Sequence, residues 1–212
     1  MSEFTSGHIL RAADRDIVRK HAVRGSVMIQ LNEQYIAYLI EHTYNSGLAQ
    51  EHIQLLSEEA PVLYFYNFAD HEWGYQLIHQ GKEIAALHIA YEYEEEMVLH
   101  TAEERYPESD LTELLLSGTL EKIREELESA SVFEQKLGNL FNDSRPEQFQ
   151  LLGASGEQVV QLCEILSHSF IHRNINQAME LSGKFIEILG IEEMSCIRHE
   201  RVVESEEYDE LF

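Results

Sequence analysis

A chain of 212 residues with 44% apolar content can bury a core of ordinary size, which sets aside a disordered reading. Its charge is the extreme property: 15 Lys and Arg stand against 39 Asp and Glu, a formal net charge of −24. That balance disfavours direct nucleic-acid binding, which rests on neutralising phosphates, and no run of about 20 apolar residues offers a membrane span.

The segment Met1 to Arg11 lacks the charged-then-apolar layout of a signal peptide, so a cytoplasmic protein is expected. Cys163 and Cys196 form no Cys-x-x-Cys pair and read as small buried hydrophobes. Charge is unevenly placed. Arg11, Arg15, Arg19, Lys20 and Arg24 crowd the N-terminal segment, no Lys or Arg lies between Arg24 and Lys82, and residues 92 to 128 are rich in glutamate. Net charge of this kind speaks to solubility and to the choice of partner.

In chain order, Phe4 to Leu10 reads as an opening strand and Asp14 to Ala22 as a short helix with Ile17 and Val18 inward. Val27 to Leu31 and Tyr35 to Ile40, rich in β-branched and aromatic residues, form a hairpin across Asn32-Glu33, a reversal without glycine. Leu48 to Leu56 has helical spacing, ended by Pro61. Three strands follow as a meander: Val62 to Phe68, Trp73 to His79 and Glu83 to Tyr93, with Gly81 supplying the positive φ of the second turn. Val62 to Phe68 is apolar or aromatic on both faces, so it is expected to be covered on both.

The second half reads as helical. Asp110 with Glu113 opens a helix, and Leu116, Leu120, Ile123 and Leu127 form an apolar stripe that Gly118 can divide. Pro146 suits a first helical position. Val159, Leu162, Cys163, Leu166 and Phe170 form another stripe. A last helix carries Ile175, Ala178, Met179, Ser182, Phe185, Ile186 and Leu189, capped by Asn174 with Gln177 and closed by Gly190. Met194 to Val203 reads as a strand returning to the sheet, and the acidic residues from Glu204 onward read as a solvated tail. The expectation is one α+β domain over residues 1–203: a mainly antiparallel sheet from a β-rich lobe at about 1–100, covered by the amphipathic helices of a lobe at about 108–192.

No Gly-x-Gly-x-x-Gly turn, phosphate loop or Gly-x-Ser-x-Gly elbow is present, so no nucleotide or other cofactor is implied, and Ser155 within Gly153-Ala154-Ser155-Gly156 reads as a helix cap. Among eleven histidines, His168 and His172 share one helical face with Glu164, a spacing that can hold a divalent ion. That stripe lies away from the apolar face and lacks a third imidazole, so no metal site is assigned to it. Asp70, His71, Trp73 and Tyr75 gather acid, imidazole and the single tryptophan at one strand junction, which fits an interface anchor; a Trp packed across the sheet and turn-capping polar groups explain the same residues. Tyr91 to Glu96 reads as a strand running out into a solvated acidic edge.

The functional expectation is a non-enzymatic acidic protein of inhibitor or immunity type, binding a basic partner protein by charge complementarity. Two alternatives stand beside it. One is an enzyme or small-molecule binder assembled from distant residues such as His79 and His88 with Tyr64 or Tyr91. The other is a structural homo-oligomeric subunit.

Overall fold

The computed structural model describes residues 4–41, 47–68, 71–167, 170, 178–195 and 197–212. The fold is α+β. Seven strands, β1 (Phe4–Arg11), β2 (Val27–Gln30), β3 (Tyr35–Leu39), β4 (Val62–Phe68), β5 (Glu72–His79), β6 (Lys82–Ala90) and β7 (Glu210–Leu211), form one sheet in the order β6-β5-β4-β1-β3-β2-β7. Every pairing is antiparallel. The first strand therefore lies at the centre, between the meander β4 to β6 and the hairpin β2 to β3.

Local chemistry explains the turns. In the β2–β3 hairpin the Asn32 carboxamide oxygen accepts from the amides of Gln34 (2.8 Å) and Tyr35 (2.9 Å), doing with a side chain what glycine does elsewhere with its backbone. Between β5 and β6, Gln80 and Gly81 both adopt positive φ, 53° and 69°, the pairing that matches a two-residue turn to strand twist. The Gln80 amide donates to the Ser57 carbonyl at 2.6 Å, tying this turn to the neighbouring helix.

One sheet face carries Ile9, Leu63, Phe65, Trp73, Tyr75, Leu77 and Leu87 into the main core. It is covered by a 3-10 helix at Pro146–Leu152, by α7 (Gly156–Ile165) and by α8 (Ala178–Leu189). Phe185 on α8 is the hub of that cover: its ring stacks on Tyr75 (5.0 Å between centroids, 7° between planes) and on Phe65 (5.9 Å), and meets Phe149 edge-on. Ser155 caps α7 through a capping box with Gln158, as its sequence context implies. Gly190, at φ 69°, follows α8.

The opposite face is covered from the N-terminal half. Here α1 (Arg15–His21) and α2 (Gly47–Glu59) lay Val18, Ile53 and Leu56 on Leu10, Met28, Ile36 and Tyr38. Glu59 accepts from Lys20 (2.6 Å) and His21 (2.7 Å), joining the two helices at their rim. Toward β6 this face opens to solvent: Tyr64 and Tyr66 are half-buried and His88 is exposed. The expected double cover of β4 is incomplete at Tyr64 and Tyr66, whose hydroxyls need a polar neighbour that a helix packed flat on them would deny, while Phe68 at the strand's end is buried again.

Four further helices, α3 (Tyr93–Arg105), α4 (Leu111–Leu116), α5 (Thr119–Ser129) and α6 (Val132–Asn139), enclose a smaller core of Val98, Ala102, Leu114, Ile123, Leu127 and Phe133. Asp110 caps α4 by accepting from the Thr112 amide at 2.7 Å. Gly118, at φ 69°, ends α4 and restarts the helical phase. Because the phase restarts, Leu114 and not Leu116 faces the core, and Leu116 is 83% exposed.

Several sequence expectations are corrected. Residues 91–96 do not extend β6; Tyr91 and Glu92 turn and α3 begins at Tyr93, its first turn placing Glu94, Glu95 and Glu96 at the positive end of the helix dipole. Cys163 is exposed, because the core side of α7 takes Val159, Leu162 and Ile165. The returning strand is not at 194–203, where a 3-10 turn at Glu192–Met194 precedes α9 (His199–Ser205). It lies in the supposed tail. Glu210 and Leu211 pair with Met28 and Val27, Phe212 exchanges backbone bonds with Ser26 and Gly25, and the Arg19 guanidinium holds Glu210 through two bonds of 2.6 and 2.9 Å. Asn174, Gln177 and Cys196 lie outside the described residues.

Candidate binding surface

The turn from β6 into α3 shapes a cleft of about 720 Å³. Its floor is the end of β6 and its walls are α3 and, through Lys136 and Leu140, the α6 end of the helical unit. Glu92, Glu94, Glu95 and Glu96 line it together with His88 and His100. Arg124 on α5 bonds Glu95 and lies 3.9 Å from Glu94, so those two carboxylates are partly neutralised. Glu92 and Glu96 are exposed and pair with no cation among the described residues. The cleft therefore presents carboxylates to anything that enters it, with Lys136 as the counterpoint on the opposite wall.

His88 links the cleft to the open sheet face. Its Nδ1 lies 2.7 Å from the Tyr66 hydroxyl and its Nε2 lies 3.6 Å from Glu72. A neutral imidazole accepting from the phenol at Nδ1 carries its proton on Nε2, on the side of the carboxylate. Burial and the Glu72 charge push the Tyr66 phenol well above its ordinary value, which keeps it a donor and removes it as a nucleophile. Directly opposite His88 in the ladder stands Gly74, where an added Cβ would lie 2.5 Å from the Tyr66 hydroxyl oxygen and 2.3 Å from the Leu87 carbonyl oxygen. The glycine makes room for the Tyr66–His88 contact. Along β4 the rings continue as a stack: Tyr64 on Tyr66 (5.6 Å), Tyr66 on Phe68 (5.2 Å), with Phe4 edge-on to Phe68 (5.7 Å).

Comparison of the chain with protein-family models, with curated proteins and with solved structures finds no match to any of them. The site is therefore read from its own geometry.

The residues singled out from sequence are distributed as follows. Trp73 and Tyr75 are fully buried and pack on Phe185, and the Tyr75 hydroxyl donates to the Ser144 carbonyl at 2.7 Å; they hold the sheet to its helical cover and present no surface. His71 is exposed, and its carbonyl accepts from the Tyr91 amide at 2.8 Å, which steadies the wall of the cleft. Asp70 lies outside the described residues, as do His168 and His172, while Glu164 is an exposed residue of α7. His79 and His88 sit at opposite ends of the β5–β6 ladder, paired with Lys82 and Gly74, so they share no site. Tyr91 and His88 do both line the cleft, and Tyr64 reaches His88 only through the intervening Tyr66.

Sequence reasoning missed Tyr66 and Glu72 as partners of His88. The register supplies the missing signal, since Tyr66 pairs with Gly74 and Gly74 with His88, placing three consecutive strands in line. It also missed Leu111 and Leu115 and placed Leu116 in a core-facing stripe; the three are exposed at 45%, 65% and 83% on a helix whose other residues are polar or buried.

Proposed function

We propose that the protein is a non-enzymatic binder of a basic macromolecule, of inhibitor or immunity type, and that the cleft between β6 and α3 receives a cationic segment of that partner. The observation that carries this reading is the unneutralised pair Glu92 and Glu96 at a cleft of about 720 Å³. It sits within a stretch, residues 92 to 128, holding thirteen carboxylates and three cations. Two of those cations, Arg105 and Arg124, are already bonded to Glu126 and Glu95. A field of this sign raises the encounter rate with basic surfaces and repels nucleic acid and anionic membranes.

The test is a capture from cell lysate with wild type and Glu92→Lys/Glu96→Lys side by side, eluted with rising salt. Exposed charge pairs release as the Debye length falls from about 10 Å at 0.1 M to about 3 Å at 1 M. A basic protein retained in stoichiometric amount by wild type and lost from the variant supports the reading. Identical protein sets on both columns reject it.

A second reading draws on the Tyr66–His88–Glu72 array: a small-molecule site in which the exposed imidazole contacts a polar ligand while stacked rings hold its apolar part. Its signature is a ligand-dependent shift of the His88 ring resonances in NMR that Tyr66→Phe alters.

A further inference from the structure

Helix α4 is anchored by a single buried side chain, Leu114, and turns its remaining leucines to water. Leu111 and Leu115 are one helical turn apart and form a stripe, and Leu116 adjoins it. Tyr106, 42% exposed, precedes α4 in the chain. Exposed leucines are ordinary when scattered singly; three on a six-residue helix form an apolar face of the kind that marks an interaction site. No element among the described residues packs on that face, as their exposure shows.

The surrounding charge selects the occupant. Glu108, Asp110 and Glu113 are all exposed around the leucines, and no Lys or Arg occurs between Arg105 and Lys122. A second copy of this chain docking through the same face would set each carboxylate against its own counterpart, because a two-fold contact is self-complementary. Like charges so placed disfavour association. A lipid surface carrying anionic headgroups is repelled for the same reason. A basic amphipathic helix satisfies both halves of the patch: its apolar stripe covers Leu111, Leu115 and Leu116 while its Lys and Arg meet the rim of carboxylates.

We infer that the exposed face of α4 is a docking site for a basic amphipathic helix of a partner protein, with Leu115 and Leu116 as its apolar anchors. This rests on the basic-partner reading above and adds to it the secondary structure and side-chain pattern of the segment recognised. Charge supplies encounter and sign preference; the leucines supply the preference for one pattern over another of equal charge.

The experiment uses two synthetic peptides of one composition, Lys and Leu, one with Leu at helical i, i+3, i+4, i+7 spacing and one scrambled. Their binding is followed by fluorescence anisotropy with wild type, with Leu115→Ser/Leu116→Ser and with Glu92→Lys/Glu96→Lys. Both leucines are exposed, so the serine variant keeps its fold, which a thermal melt checks. Wild type is expected to prefer the patterned peptide by about tenfold, about 1.4 kcal/mol, and the serine variant to lose that preference while retaining salt-sensitive binding of both peptides. Equal affinity for the two peptides, unchanged in the serine variant, overturns the docking site and leaves the basic-partner reading standing. Absence of binding to either peptide overturns both. A wild-type dimer in sedimentation that the serine variant dissolves assigns the face to a second copy and overturns the inference.

Discussion

The hydroxyl of Tyr38 on β3 lies 3.0 Å from Nε2 of His52 on α2, and it also accepts from the Val23 amide at 3.1 Å. With the Val23 amide donating to its oxygen, the Tyr38 hydroxyl can donate to Nε2 of a neutral His52, the form that burial favours. Burial, reinforced by neighbouring His21, holds the His52 pKa below its ordinary value.

His8 sits beside Tyr38 in the β1–β3 ladder and is only 4% exposed; burial lowers its pKa from 6.5 to about 4. A folded-state pKa below the unfolded one means that stability is complete above about pH 6.5 and is lost as pH falls toward about 4, as the unfolded chain takes up the proton first. The loss attributable to His8 is about 3 kcal/mol over that window. Urea unfolding from pH 7 to pH 4 is expected to show it, and His8→Gln, which cannot titrate, is expected to flatten the slope. A slope unchanged in the variant rules His8 out as the source.

Phe185 touches Phe65, Trp73, Tyr75 and Phe149 at once. Removing its ring leaves a void that four rigid rings cannot close, so Phe185→Ala is expected to cost about 3–5 kcal/mol. Denaturant titration gives the figure; a loss below about 1 kcal/mol shows that α8 is not what holds the sheet cover in place.

Gly74→Ala places a methyl 2.3 Å from the Leu87 carbonyl oxygen and 2.5 Å from the Tyr66 hydroxyl. The expected cost is about 3 kcal/mol, read as a lowered melting temperature. Adding Tyr66→Phe removes the hydroxyl contact but leaves the ring Cζ at 2.7 Å and the Leu87 carbonyl oxygen at 2.3 Å, so the double variant stays destabilised. Full rescue by Tyr66→Phe identifies the hydroxyl as the sole obstacle.

Glu210 is held by Arg15 (3.3 Å) and Arg19 (2.6 Å) against the outer edge of β2. Glu210→Gln weakens both contacts on an exposed rim, where the effect on global stability is small. Hydrogen exchange at the Phe212 and Gly25 amides is the sensitive measure, and faster exchange there with an unchanged melting temperature is the expected result. Unchanged exchange means the backbone pairing alone secures β7.

The sequence is legible where one local rule decides the outcome. The strands of the meander, the Gly81 turn, the Asp110 and Ser155 caps and the break at Gly118 follow from residue chemistry over a few positions. Elements decided by distant contacts were not legible. Glu210 and Leu211 are unremarkable as a strand until the edge of β2 and the guanidinium of Arg19 are set beside them. Leu116 continues a plausible apolar stripe until the left-handed residue at 118 changes its direction. The candidate surface was legible as charge, in the excess of glutamate from 92 to 128, and illegible as shape, because Tyr66, Glu72 and His88 meet only through the register of three strands.

The central place of β1 bears on how quickly the native state can assemble. The meander β4 to β6 and the hairpin β2 to β3 each join neighbouring residues and can close within microseconds as separate units. Neither contains the other's partner. They become one sheet only when β1 finds β4, and those pairs, from Phe4 with Phe68 to Ile9 with Leu63, lie fifty-four to sixty-four positions apart in the chain. Closing loops of that length precedes any return from the contacts they bring, which places the rate-limiting step on the scale of about milliseconds to seconds. Strand edges left unpaired before that step are the sites of wrong pairing between molecules, and a net charge of −24, by mutual repulsion between chains, opposes such encounters.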